Sequence, residues 1–231
     1  GYARDYIRWH SNGLRVCARD SVFVCNSEPT KSDLLNYVPG IEERCFVIPY
    51  PVAESFYPDP QPNFFISEII KRRWSSATGI KWQPKRASIK APYILHVGTL
   101  EPRKNLVGLI KAFSLLRKKY NKPLHLIVVG NLGWSFEPIL KSMFPLLRSG
   151  ELIHLEKLTS EELRVLYSNA SVFCFPSYYE GFGIPPLEAL ACGTPAVVSD
   201  IPPHRWVLKD AALYCDPYDP ESIAELSLIH I

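Results

Sequence analysis

Two pairs of charged residues in this chain could do chemistry: the basic pair Arg103 and Lys104, and the acids Glu180 and Glu188. The basic pair lies just before a predicted helix, whose first N–H groups are unpaired and whose dipole is positive at that end. Such a site is suited to a phosphate or a pyrophosphate. The alternative is that Arg103 and Lys104 are solvated surface charges. Their position directly after a predicted strand favours the phosphate site.

The two acids come after a second predicted strand. The unbroken apolar run at residues 171–175 predicts a buried parallel strand. Glu180 then falls in a loop to which Gly181 and Gly183 give unusual backbone freedom, and Glu188 falls on the next helix. Because ligands of open α/β sheets bind at the carboxyl ends of the strands, we expect both acids to lie at a ligand site.

Strands and helices alternate along the sequence, which is typical of parallel α/β layers. The alternation is regular from residue 92 and predicts a Rossmann-like domain over residues 92–231, a parallel sheet with helices on both faces. Shorter strands are predicted at residues 21–26 and 45–48. The segment 58–91 dissolves into prolines and basic residues, and it is either a linker or a locally folded insertion.

The composition excludes several classes of protein. Lys and Arg number 26 against 23 Asp and Glu, a near balance that gives no electrostatic reason to expect a nucleic-acid partner. The six cysteines are widely spaced without a CxxC pair, which favours buried free thiols in a reducing compartment. The sequence contains neither an apolar stretch of membrane-spanning length nor a visible signal peptide. We therefore expect a cytoplasmic location.

The absence of several common motifs further restricts the classes of ligand that the chain could bind. The chain has no GxGxxG and no P-loop fingerprint, which disfavours ordinary dinucleotide binding and an oxidoreductase. Its His, Cys and acidic residues show no metal-ligand spacing, so we predict neither a metal site nor a cofactor. The chain starts at Gly1 within a predicted helix and stops soon after another begins at Asp219, so we expect a piece of a longer protein.

Taken together, the two charged segments resemble a known family. Residues 97–105 (Val-Gly-Thr-Leu-Glu-Pro-Arg-Lys-Asn) and 180–188 (Glu-Gly-Phe-Gly-Ile-Pro-Pro-Leu-Glu) are similar to retaining GT-B glycosyltransferases of the family 4 type, the glycosyl transferases group 1. Residues 200–203 and 211–217 also match the segments that come next in those enzymes. The resemblance covers about residues 92–226 well and residues 17–52 more weakly.

The resemblance implies a role for each matching residue. Arg103 and Lys104 would hold the donor diphosphate and stabilise it as the leaving group, since negative charge builds on it as the glycosidic bond breaks. Glu188 would accept hydrogen bonds from the ribose hydroxyls. Glu180 would lie beside the donor sugar and face the positive charge that develops at the anomeric carbon. The remaining donor-binding residues would be Gly98, Lys157, Leu158, Gly181, Phe182, Gly183 and Ile184, with the nucleobase near Lys157 and Leu158.

The resemblance also implies the reaction and its partners. A hexosyl group would pass with retention from a nucleotide-diphosphate sugar to a glycan, lipid-linked or small-molecule acceptor, without a metal. GDP-mannose is the favoured donor, because the amino-acid sequences of both motifs resemble those of bacterial mannosyltransferases. Residues 1–57 would be the last part of the family's N-terminal domain and residues 92–231 the nucleotide-sugar-binding domain. These 231 residues alone are expected to be inactive, and peripheral membrane association of the longer parent is left open.

Several alternatives remain open in the sequence. The chain could be a nucleotide-sugar-binding module without transferase activity. His96 on its strand is interpreted as a core or edge histidine, whereas the role of His204 is undecided because it lies close to the predicted site. Trp206 stands near a position where family members often have Glu, so no role is assigned there.

Overall fold

A computed structural model describes the backbone of residues 2–61, 63–75, 92–119 and 123–229, with the side chains of residues 2–9, 63 and 64 left out. The chain divides into two compact units, Gly1–Pro51 and Val52–Ile231. The boundary between them lies earlier in the chain than the predicted boundary after residue 57. Half of the predicted linker or insertion, residue 62 and residues 76–91, lies outside the described residues.

The first unit is a small parallel α/β unit. A long helix, α1 (Tyr2–Cys17), is followed by β1 (Phe23–Cys25), α2 (Glu28–Tyr37), a short 3-10 helix at Glu42–Arg44 and β2 (Cys45–Val47). Strands β1 and β2 pair in parallel, with Val24 opposite Phe46. The Ser27 side chain caps α2 by accepting from the Thr30 N–H. Both strands were predicted from the sequence.

The second unit contains a six-stranded parallel sheet in the order β5-β4-β3-β6-β7-β8. Its strands are β3 (Tyr93–Val97), β4 (His125–Val129), β5 (Leu152–Leu155), β6 (Val172–Phe175), β7 (Ala196–Ser199) and β8 (Leu213–Cys215). Its helices are α3 (Asn63–Arg73), α4 (Leu106–Lys119), α5 (Glu137–Ser149), α6 (Ser160–Asn169), α7 (Ile184–Ala191), α8 (Pro202–Leu208) and α9 (Pro220–Leu228).

Helices cover both faces of this sheet, as predicted. One core cluster combines the sheet with the apolar sides of α4, α5 and α9, for example Phe113, Met143 and Ile223. The other combines it with α3, α6, α7 and α8, for example Ile70 and Tyr167. Because the central strands are buried on both sides, their sequences are nearly continuous apolar runs, interrupted in β3 by the buried His96.

Helix α3 shows that residues after Val52 belong to the second unit. The side chains of Ile66 and Ile70 are fully buried in the second core cluster, which contributes about 2–3 kcal/mol for each. At the end of α3, Arg73 donates to Glu162 of α6 at 2.7 Å. Within the described part of residues 58–91, the chain is therefore locally folded.

The order of the strands determines which loops meet. Strand β3 is hydrogen-bonded to β4 on one side and to β6 on the other, so the sequence order reverses direction at the β3–β6 pair. The loops that leave β3 and β6 consequently emerge side by side at the carboxyl edge. Ligands of open α/β sheets bind at such a switch point.

Candidate functional site

The loop after β3 is held in a tight, defined shape. The Gly98 amide donates to the Val129 carbonyl at 2.9 Å, which extends the β3–β4 ladder beyond the strand. Residues Pro102–Lys104 then form one turn of 3-10 helix with proline in its first turn. The turn ends at Asn105, whose φ of 55° is left-handed. The backbone therefore presents Arg103 and Lys104 from a rigid turn.

Both basic side chains converge on Glu180, from the loop after β6. Nζ of Lys104 donates to Oε1 of Glu180 at 2.7 Å, and Nη1 of Arg103 donates to Oε2 at 2.7 Å. The backbone fixes the same arrangement, because the Tyr178 N–H donates to the Arg103 carbonyl at 2.9 Å. Nη1 of Arg103 also donates to the Tyr179 carbonyl at 2.8 Å. Three predicted site residues thus meet at the carboxyl edge.

These charges are largely removed from solvent. Glu180 is 7% and Lys104 9% exposed, and Nζ of Lys104 lies 4.6 Å above the centre of the Phe175 ring. Burial alone would raise the pKa of Glu180, but Lys104 and Arg103 outweigh it and lower that pKa. Burial alone would lower the pKa of Arg103, but Glu180 and Glu101 outweigh it and raise that pKa. Glu180 and Arg103 are therefore both charged at neutral pH.

Glu101 orients the Arg103 side chain. Its Oε1 accepts from Nε of Arg103 at 2.9 Å and from Nη2 at 2.6 Å. The guanidinium is therefore fixed between two carboxylates, those of Glu101 and Glu180. Glu101 belongs to the motif at residues 97–105, but it was assigned no role from the sequence. Its position two residues before Arg103 could have indicated that the two side chains pair.

Asn105 joins the loops that surround the site. Its Nδ2 donates to the carbonyls of Pro176 at 3.0 Å and Pro217 at 2.7 Å. Its Oδ1 accepts from the Gly108 N–H at 3.2 Å, in the first turn of α4. A single buried amide thereby ties the β3 loop to those after β6 and β8. The sequence signal for this residue was an Asn directly before a helical apolar run.

The loop after Glu180 leads into α7 through a left-handed turn. Gly183 has φ of 95° and precedes a helix with Pro in its first turn, as the sequence predicted. The Phe182 side chain is buried against Trp206, with ring centroids 6.3 Å apart. Gly181 is half-buried and Ile184 is exposed. Of the side chains predicted for this loop, Phe182 therefore packs inward.

Glu188 is held by a different partner. One of its carboxylate oxygens accepts from the Tyr167 hydroxyl of α6 at 2.9 Å. Burial raises the pKa of Glu188, and the Tyr167 hydrogen bond offsets only part of that rise. This acid is therefore easier to protonate than Glu180, a contrast that the sequence did not indicate.

The residues predicted to lie near a nucleobase come directly after β5. Lys157 is exposed and has a left-handed φ of 58°, and the half-buried Leu158 packs against the second core cluster. The turn immediately precedes the capping box of α6, in which the side chains of Thr159 and Glu162 each accept from the other's backbone N–H. Lys157 is thus the more accessible of the two side chains.

Two histidines flank the Phe175 ring beneath the ion pairs. His96 of β3 lies 5.7 Å from that ring and His204 of α8 lies 5.8 Å from it, measured between centroids. Nδ1 of His96 lies 3.0 Å from the Cys174 carbonyl oxygen, which can only accept, so Nδ1 carries the hydrogen and donates. Burial lowers the pKa of His96 to about 4. His96 is a neutral core histidine, in agreement with its interpretation from the sequence.

Within the described part of the chain, no group of three or more His, Cys, Asp or Glu side chains is arranged to hold a metal ion. Across those same residues, none of the helices combines the length and the apolar character that crossing a bilayer requires. Cys25, Cys45, Cys174, Cys192 and Cys215 are buried free thiols, and Cys17 is an exposed one.

Comparisons with known proteins identify the family that this chain resembles. Residues 80–228 match the family described as glycosyl transferases group 1. O-antigen chain mannosyltransferase B of Escherichia coli is 39% identical over 132 residues, which are 57% of this chain and 35% of that protein. Serotype-specific mannosyltransferase WbdA of Escherichia coli is 34% identical over 222 residues, 95% of this chain and 25% of that protein. The chain therefore spans about a third or less of these two relatives.

A solved structure confirms the fold. HepE of Anabaena, in complex with UDP-glucose, superposes with a TM-score of 0.74 at 17% identity, covering 95% of this chain and 57% of that one. At this identity the likeness concerns the fold alone. The GT-B-type α/β architecture expected from the motifs is thus confirmed.

Proposed function

The chain belongs to the glycosyl transferases group 1 family, and we propose that it forms the donor-binding part of a retaining glycosyltransferase. In this proposal the enzyme moves a mannosyl group from GDP-mannose to a glycan, lipid-linked or small-molecule acceptor. Arg103, Lys104 and Glu180 are its catalytic groups. The buried free cysteines favour a reducing, cytoplasmic location for the reaction.

The observation that carries the proposal is the pairing of Arg103 and Lys104 with Glu180. Two cations and one carboxylate lie together at the switch point of a parallel sheet, where Lys104 is nearly removed from solvent. Such a site can hold a diphosphate, because charge-assisted hydrogen bonds are strongest where water is excluded. An ordinary surface pair of basic residues would lie in water and would interact weakly.

The same geometry indicates how transfer would proceed. The donor diphosphate would take the place of the Glu180 carboxylate on Arg103 and Lys104, which then stabilise the negative charge that grows as the glycosidic bond breaks. Glu180, freed from its two partners, would turn its charge to the sugar and to the cationic character that develops at the anomeric carbon. Because the two cations neutralise the phosphate charge, transfer by this route requires no metal.

The rest of the nucleotide would run along the edge of the sheet toward β5. Glu188 would accept from the ribose hydroxyls, with Tyr167 holding its carboxylate in place at 2.9 Å. The exposed Lys157 and its neighbour Leu158 would lie at the nucleobase. Gly98, Gly181, Gly183 and Ile184 would contribute backbone around the sugar and phosphates.

Mannose is the sugar that we favour. Both Escherichia coli relatives are mannosyltransferases by name, and one of them aligns over 95% of this chain. HepE contains UDP-glucose, but it is related to this chain by fold alone. GDP-mannose and UDP-glucose are therefore the two donors to compare directly.

Calorimetric titration of the 231-residue chain tests this function. We expect GDP-mannose to bind more tightly than UDP-glucose or ADP-glucose. Arg103→Met and Lys104→Met should each weaken GDP binding about tenfold or more, because each removes a charge-assisted hydrogen bond. Lys118→Met and Arg148→Met are matched controls, since both residues are exposed at the C-terminal ends of α4 and α5.

Three results would count against the proposal. Binding of no nucleotide-sugar would reject the donor site, and equal losses in the control variants would reject the specific role of Arg103 and Lys104. Tight binding combined with no sugar transfer by the longer parent protein would favour a nucleotide-sugar-binding module instead.

A further inference from the structure

His204 is a completely buried polar residue directly beneath the Glu180–Gly183 loop. Its side chain is 0% exposed. A Cβ placed on Gly183 would lie 3.0 Å from Cδ2 and 3.2 Å from Nε2 of the His204 ring. The ring therefore packs directly against the backbone of Gly183, on the side where any larger residue would carry its side chain.

The hydrogen bonds of His204 define which nitrogen carries the hydrogen. Nδ1 lies 3.0 Å from the Ser199 carbonyl oxygen, which can only accept, so Nδ1 donates. The Ser199 hydroxyl is also close to Nδ1, at 3.1 Å. Burial lowers the pKa of His204, which keeps the ring neutral at neutral pH. Nε2 is then a hydrogen-bond acceptor with a free lone pair.

Nε2 of His204 finds no hydrogen-bond partner among the residues that the structure describes. A buried polar atom without a partner destabilises the folded state, and most such atoms in native proteins are paired. A phenyl ring, like that of the neighbouring Phe175, would fill the same space without this cost. The nitrogen is therefore best explained by a second state of the protein in which it is paired.

The chemistry of Nε2 restricts its partner. Phosphate oxygens only accept hydrogen bonds at neutral pH, so a diphosphate cannot pair with a neutral Nε2. A sugar hydroxyl can donate to it. We propose that Nε2 of His204 accepts a hydrogen bond from a hydroxyl of the bound donor sugar, as the Gly183 turn shifts to admit it. This inference rests on the donor site proposed above. It adds a residue that contacts the sugar of the donor and does not contact the nucleotide.

Two substitutions separate the functions of the two ring nitrogens. An Asn side chain can place its NH₂ group near Nδ1 and keep the bond to Ser199, but it does not reach Nε2. A Gln side chain can place its amide oxygen near Nε2 and keep an acceptor there. We therefore expect His204→Asn to weaken GDP-mannose binding about tenfold, the equivalent of one hydrogen bond, and to leave GDP binding unchanged. His204→Gln should retain most of the affinity for GDP-mannose.

Nitrogen-15 spectra of the unmodified chain test the same contact without a substitution. The His204 Nε2 resonance should move upfield when GDP-mannose is added, as expected for a lone pair that accepts a hydrogen bond, and should not move with GDP. The same shift with GDP alone would show that the partner is not the sugar and would overturn the inference. So would equal GDP-mannose affinities of His204→Asn and the unmodified chain, while the donor site itself would stand. Failure of both GDP and GDP-mannose to bind would reject the donor site as well.

Discussion

Glu180 differs from an ordinary surface carboxylate because it is buried with two cationic partners. Removal of one member of a buried ion pair leaves a charge without compensation, which is usually far more costly than loss of a surface pair. Lys104 is more buried than Arg103, whose guanidinium is also paired with Glu101. The three charges therefore act as one unit, and the effect of changing any of them depends on the other two.

Substitution of Glu180 should separate nucleotide binding from sugar transfer. Glu180→Gln removes the negative charge that occupies Arg103 and Lys104, so we expect the affinity for free GDP to stay the same or rise. On the proposed mechanism, transfer by a protein that contains this chain should be lost, because the charge that would face the anomeric carbon is gone. Calorimetry with GDP checks the first part, and Glu161→Gln, which changes a solvent-exposed acid of α6, is the control. A large fall in GDP affinity would contradict this assignment.

Glu188 should make nucleotide binding depend on pH. Its pKa is raised above the usual 4.5 by burial, and only the charged form is a good acceptor for ribose hydroxyls. As the pH falls through this raised pKa, the affinity for GDP-mannose, whose diphosphate does not titrate in this range, should decline before ordinary carboxylates are protonated. Titrations between pH 7 and the ordinary carboxyl range check this. Glu188→Gln should bind more weakly at neutral pH and lose the pH dependence; an unchanged profile would show that another group titrates.

Local sequence patterns predicted that these residues lie at a site, but they did not predict which of them contact one another. Arg103, Lys104 and Glu180 were predicted as site residues, and the structure brings them within hydrogen-bond distance. That they neutralise one another became clear only from the β3–β6 pairing, since the order of strands is not encoded in local patterns. Tyr167 was likewise missed as the partner of Glu188, because the contact joins two helices that are separate in the sequence.

At the scale of secondary-structure elements, hydrogen bonds of Asn105 connect the loops of the site. Asn105→Ala removes hydrogen bonds to Pro176, Pro217 and Gly108 and leaves an alanine in a left-handed conformation. We expect the free energy of unfolding to fall by about 2–4 kcal/mol, from the lost buried bonds and the added backbone cost. The change in the free energy of unfolding is measured by urea denaturation of the variant and the unmodified chain.

Two further variants make this measurement specific to the role of Asn105. Asn105→Gly loses the same bonds without the left-handed penalty, so it should be less damaging than the alanine variant. Asn169→Ala removes only a bond to Val165 within one helix and should cost less than either. Similar values for all three variants would show that the loops are not fastened through Asn105.

Elements with strong local signals were predicted well. Strand β3 begins next to residue 92, where regular alternation was predicted to start, and α9 begins directly after Asp219, where a helix was predicted. Helix α3 was not recognised, although Ile66 and Ile70 lie at helical spacing. Neighbouring prolines and basic residues obscured that pattern, and burial against the sheet, which decides its stability, is a tertiary effect.

For the molecule as a whole, several buried histidines make stability sensitive to mild acid. Burial lowers the pKa of His96 from 6.5 to about 4, and it also lowers those of His154 and His204. The unfolded chain then binds protons more readily than the folded chain as the pH falls below 6.5. The stability of the second unit should therefore be full above that pH and decline between there and the carboxyl range.

This decline can be measured by urea denaturation at a series of pH values. Each histidine that protonates only on unfolding contributes a slope of about 1.4 kcal/mol per pH unit. His96→Gln should flatten the profile, whereas substitution of the exposed His10 should not. A profile that is flat from about pH 7 to pH 5 would show that the buried rings accept protons without loss of structure.

The Glu180 carboxylate has a final consequence for ligand selectivity. A group tethered beside its partners acts at an effective concentration in the millimolar range or above. Chloride or inorganic phosphate must displace this tethered anion before it can occupy Arg103 and Lys104, and a small ion offers few other contacts in return. A nucleoside diphosphate brings ribose and base contacts as well. In the proposed donor site, the internal ion pairs would therefore disfavour small anions relative to a nucleoside diphosphate.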